Sequence, residues 1–144
     1  MKKIASLLLI VSLFTTCKKA EVENSFSISL IEMSPSEIIE FEENINVKIS
    51  YSHPKGFIGF SDPDYLSLKV KDSRLTNADY YHLIPLNPPQ NEVSITGEID
   101  IEVDAPFIFG NGNTETLTFT IRIQDKEKNW SNKITTGLIT VNKQ

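Results

Sequence analysis

Apolar and polar residues alternate one for one over several stretches, the connections between them are short and turn-rich, and each stretch has one dry and one wet side. These three observations predict an all-β fold of antiparallel sheets packed through one face. Phe26, Ile28 and Leu30 share one side of a first strand, and Ile45, Val47, Ile49 and Tyr51 share one side of a second. Leu66, Leu68 and Val70 mark a third, and residues 80–84 supply a further strand. Val93, Ile95, Ile99, Ile101 and Val103 line a longer one, with Gly97 in the same phase as a point of close backbone approach. Leu117, Phe119, Ile121 and Ile123 line the next, and Ile134, Ile139 and Val141 a bent last strand. Residues 38–43 are expected to form a helical turn capped by Ser34 or Ser36.

About seven strands with turn-rich loops suggest an immunoglobulin-like or fibronectin-III-like sandwich, with a small barrel or jelly roll as the alternative. The chain has a single cysteine, so the Cys-Trp-Cys core of antibody domains is absent.

That cysteine, Cys17, follows a segment built like a secretory leader. Lys2 and Lys3 form a basic start, residues 4–14 an apolar run, and Thr15 and Thr16 a small polar step before Cys17. As a helix the run would be about 16 Å long, roughly half of the ~30 Å of a bilayer core. Leu13-Phe14-Thr15-Thr16-Cys17 resembles the lipobox cut by the lipoprotein signal peptidase, which implies that Cys17 becomes a lipidated N-terminus. Residues 1–16 are then the signal peptide, 17–24 a polar tether, and 25–144 one domain. The membrane partner is reached through this lipid, and two or three acyl chains suffice for stable attachment.

Without the leader, twelve basic residues face nineteen acidic ones, a net charge of −7. Nucleic acid is a poor partner for such a surface, because phosphate binding rests on Lys and Arg. The two histidines, His53 and His82, are too few for a three-histidine zinc site, and no sequence context nominates a serine triad. Glu98, Asp100 and Glu102 read as the wet face of a strand, and Gly110-Asn111-Gly112-Asn113 as a turn. The expectation is a non-enzyme without a cofactor.

Ser34-Pro35-Ser36, Gly56-Phe57-Ile58-Gly59-Phe60, Asp62-Pro63-Asp64-Tyr65, Lys71-Asp72-Ser73-Arg74 and Asn129-Trp130-Ser131-Asn132 together resemble a group of uncharacterised Bacteroidetes lipoproteins with one immunoglobulin-like domain. The resemblance implies a fold and an outer-membrane address, periplasmic or surface-exposed, but no activity. In that group the loop after the second strand looks like a calcium loop, whereas here His53, Lys55 and Phe57 occupy its acidic positions. Calcium takes six to eight oxygen ligands. Lys55 opposes a cation, so no metal is expected; Asp62, Asp64 and Asp125 carry the alternative.

If the strands alternate up and down, residues 52–64, 85–90 and 125–132 meet at one pole. That pole holds Phe57, Phe60, Asp62, Asp64, Asn129, Trp130 and Asn132 as candidate ligand-binding residues, with His53, Lys55, Pro88 and Pro89 beside them. Aromatic anchors among hydrogen-bonding groups suit a protein or glycan partner. The alternative function is a structural accessory subunit of an envelope complex.

Overall fold

The computed structural model of the chain describes residues 25–56, 58–86 and 93–144. The leader, Cys17, the tether, Phe57, Pro88 and Pro89 lie outside the described residues. The described chain is all-β, with ten strand segments in three sheets.

In the first sheet β3 (Ile45–His53) lies between β1 (Ser27–Ser34) and β6 (Ile95–Val103), antiparallel to both. The β3–β6 register runs unbroken from Ile45 opposite Val103 to His53 opposite Ile95. A one-face pattern of branched apolar residues specifies such a register, because a slip by one would turn every side chain outward. In the second sheet β4 (Leu66–Asp72) lies between β5 (Asp79–His82) and β8 (Phe119–Ile123), and β9 (Ile134–Thr135) extends β8. In the third, β10 (Ile139–Asn142) lies between β7 (Thr114–Leu117), antiparallel, and β2 (Glu37–Ile39), parallel.

Only Thr118 separates β7 from β8, and residues 136–138 separate β9 from β10. Side chains replace the ladder at these breaks. Ser73 Oγ accepts the Thr118 amide at 3.0 Å, and Thr136 Oγ1 accepts the Phe119 amide at 2.9 Å. All three sheets feed one core: Ile45, Val47 and Ile49 of β3 meet Val70, Ile121 and Ile123 from the second sheet and Ile38, Leu117, Ile139 and Val141 from the third. Each buried branched side chain contributes about 1.5–3 kcal/mol relative to exposure.

Four sequence expectations are corrected. Residues 38–43 are not helical: β2 pairs with β10, Ile38 is buried in the core, and Phe41 has a positive φ of 66°, which ends any right-handed turn. Val93 lies outside β6 and is 47% exposed. The strand expected over residues 80–84 is β5, which ends at His82 and is mostly exposed. Gly97 admits not a backbone but the ring of Tyr51, its cross-strand partner, which lies where a Cβ would stand.

Candidate functional site

The sandwich has two poles. The first holds the start of β1, the end of β3, the starts of β4 and β6 and the end of β8. The described parts of the loops expected to meet come together here. Ile58 bridges Asp125, the Leu86 amide donates to the Ile58 carbonyl at 3.1 Å, and the Phe60 amide to the Leu83 carbonyl at 2.9 Å.

Most candidate residues at this pole are committed to its own structure. Asp125 is buried; Oδ1 accepts the Asn129 amide at 2.8 Å and Oδ2 accepts Asn129 Nδ2 at 3.1 Å. His53, also buried, approaches Asp125 Oδ2 through Nε2 at 3.4 Å, and its Nδ1 accepts the Lys55 amide at 3.1 Å. That amide fixes the tautomer: Nδ1 carries the lone pair and Nε2 the proton. With both ring nitrogens used and Phe26 packed edge-on at 4.9 Å, the imidazole has no free nitrogen for a substrate. Asp62 forms a turn, its Oδ1 accepting the Asp64 amide at 3.0 Å, while the Asp64 side chain is exposed. Phe60 packs on Tyr65 with ring centres 3.9 Å apart and planes tilted by 30°.

Asn132 works as a clamp. Its Oδ1 accepts the Ile28 amide at 2.7 Å and its Nδ2 donates to the Ile28 carbonyl at 2.9 Å, so one side chain satisfies the outer edge of β1. Bare edges pair with other chains, and this amide blunts one. Trp130 is half-buried and packs edge-on to Tyr80 at 6.4 Å, with the Arg122 guanidinium 5.9 Å from its ring centre. It belongs to the side of the second sheet rather than to a pocket among the loops. Among the described residues no three His, Cys, Asp or Glu side chains are grouped to hold a metal ion.

The opposite pole holds the end of β2, the start of β3, the ends of β4, β6 and β10 and the start of β7. Here Phe41, Phe107 and Phe109 are 65%, 42% and 47% exposed yet packed on one another. Phe41 stacks on Phe107 at 5.3 Å, and Phe107 meets Phe109 edge-on at 4.9 Å. The rings stand on a frame of charged side chains. Asp72 grips Arg74 through Nε at 3.1 Å and Nη2 at 2.7 Å. Arg74 Nη1 in turn donates to the Phe107 carbonyl at 2.8 Å and to Glu115 at 2.9 Å, and the guanidinium lies 4.3 Å from the Phe109 ring centre. Glu115 also accepts the Phe109 and Gly110 amides, at 3.1 and 2.6 Å, and Glu40 accepts the Ile108 amide at 3.1 Å.

The electrostatics follow this geometry. The amides of Phe109 and Gly110 hold the Glu115 carboxyl below its ordinary range; burial opposes them, and Arg74 adds to the lowering. Burial pulls on the Arg74 guanidinium, but Asp72 and then Glu115 outweigh it and raise its pKa. Tyr81 lines the neighbouring open cleft of about 340 Å³ together with Asp79 and Asp104. Burial first, then those two carboxylates, pushes its phenol up.

Sequence reasoning missed this pole because its phenylalanines lie outside the alternating strands, with Phe41 far in sequence from Phe107 and Phe109. The available signal was Pro106-Phe107-Ile108-Phe109-Gly110, two aromatics in a loop where polar residues are usual. Comparison with protein-family models, with curated proteins and with solved structures finds no match to the chain.

Proposed function

We propose that this chain is a lipoprotein anchored to an outer membrane through Cys17, with an immunoglobulin-like sandwich that acts as a non-catalytic binding module. It meets a protein or glycan partner through the aromatic pole of Phe41, Phe107 and Phe109. The single observation that carries the reading is three exposed rings held by a rigid charged frame. Exposed aromatic clusters mark contact sites, and pre-organised ones lose little entropy on binding. Phe41 adds backbone strain at φ 66°, on the order of 1 kcal/mol for a bulky residue, at a position where its ring reaches solvent.

Topology supports the fold and the orientation. Counting β7 with β8 and β9 with β10 as broken single strands leaves a small sandwich with β1-β3-β6 on one side. The chain enters β1 at the pole bearing Asn132 and Asp125, so the tether attaches there. The aromatic pole is the far end, about 25–30 Å away along β3.

Completing the burial of a half-exposed phenylalanine contributes roughly 1 kcal/mol, so losing two rings should weaken binding about thirtyfold. The test compares the full chain with Phe41→Gly/Phe109→Ser, both extracted from membranes in mild detergent, in pull-downs from native envelope and on glycan arrays. Glycine suits the positive φ, so the fold is retained. The wild type should retain a partner that the variant loses; equal recovery by both forms would sink the proposal.

A further inference from the structure

A second surface, independent of the aromatic pole, lies on the outer face of the β5-β4-β8-β9 sheet. Lys69, Lys71, Thr120, Arg122 and Lys133 line a groove of about 260 Å³ there, and no acid lines it. Lys69 stands directly opposite Arg122, and Lys71 opposite Thr120. Like charges directly across a sheet are destabilising, and this chain has nineteen acids against fourteen bases with which to avoid them.

Elsewhere among the described residues several cations are matched by acids. Lys48 lies 3.7 Å from both Glu32 and Asp100, Lys55 lies 3.1 Å from Glu127, and Arg74 is held by Asp72 and Glu115. In the groove only aromatic rings and a carbonyl compensate. Lys69 lies 5.5 Å from the Tyr80 ring centre, Arg122 lies 5.9 Å from that of Trp130, and Arg122 Nε donates to the Ser131 carbonyl at 2.9 Å. Lys71 and Lys133 engage no partner among the described residues.

We infer that this groove binds an acidic polysaccharide, with sugar-borne carboxylate or sulfate groups supplying the missing negative charge. Strand geometry sets the cations about 7 Å apart along β4 and about 5 Å apart between strands, a two-row array suited to a chain with repeated charges. Tyr80 and Trp130, meeting edge-on at the border, offer apolar ring surface for sugar faces, which a site for a bare inorganic anion would not need. The Arg122 fork gives one oxyanion a fixed bidentate partner, and the lysines act as point charges.

The experiment measures retention of the full chain in mild detergent on immobilised polygalacturonate and dextran sulfate, with neutral dextran as control, across a salt series. Wild type should bind the charged polymers and not dextran, with affinity falling as salt rises. The Lys71→Gln/Lys133→Gln variant should bind at least tenfold more weakly, with a melting temperature equal to or above that of wild type, because it removes unpaired like charges. Phe41→Gly/Phe109→Ser should bind these polymers as wild type does, which separates this site from the aromatic pole. Equal binding by wild type and the lysine variant would overturn the inference. So would tighter binding to phosphatidylglycerol vesicles or to oligothymidylate than to either polymer.

Discussion

Asn132 gives the sharpest test of how the sandwich closes. Its side chain makes two hydrogen bonds to the backbone of Ile28, at 2.7 and 2.9 Å, and Ile28 is itself only 2% exposed. A typical intramolecular hydrogen bond contributes about 0.5–1.5 kcal/mol net, so Asn132→Ala should cost about 1–3 kcal/mol. At about 4 °C per kcal/mol for a domain of this size, the melting temperature should fall by roughly 4–12 °C. Asn132→Asp keeps the acceptor for the Ile28 amide but sets a second carboxylate oxygen against the Ile28 carbonyl. At neutral pH it should be at least as damaging as alanine. Urea and thermal unfolding followed by circular dichroism measure both. A loss below about 0.5 kcal/mol for Asn132→Ala, the range of ordinary surface substitutions, would refute the clamp and return Asn132 to the pool of ligand-binding candidates.

Three further outcomes are expected. Gly59 has φ 84°, and a Cβ there would run into the carbonyls of Ile84 and Leu83, so Gly59→Ala should cost about 2–3 kcal/mol while Gly112→Ala, whose Cβ would make only ordinary van der Waals contact with the Thr114 backbone, changes little. Glu115 has a depressed pKa in the fold, so its contribution is fully present above its unfolded value and is lost as pH falls through the lower folded value. The Gly110 amide resonance should therefore titrate with a midpoint below the ordinary glutamate value and stay flat in Glu115→Gln; a midpoint at or above the ordinary value would contradict the geometry. Ser67 Oγ is buried without a hydrogen-bond partner among the described residues, so Ser67→Ala should be neutral or stabilise by up to about 1 kcal/mol in urea unfolding.

The core was legible because its rule is local. Val47, Ile49, Ile121 and Ile123 alternate with polar neighbours and are buried as that alternation requires. β2 was not legible, because three residues become a strand only through pairing with β10, about a hundred residues further on. The convergence of the loops at residues 52–64 and 125–132 followed from strands running up and down. How their side chains are used did not: whether Asn132 faces a ligand or clamps Ile28 depends on the placement of β1 relative to the turn before β9. Lys69, Lys71 and Arg122 occupy polar positions of two strands, and the pattern marks each as outward-facing. Their gathering into one groove requires knowing that β4 and β8 are neighbours.

The most direct test of the aromatic pole uses a photo-crosslinking phenylalanine analogue introduced at position 107, or at exposed position 64 on the opposite pole, in the full chain within the cells that make it. Crosslinks to a partner should form from position 107 and not from position 64. Crosslinks from position 64 alone would contradict the account and move the contact to the pole where the chain enters.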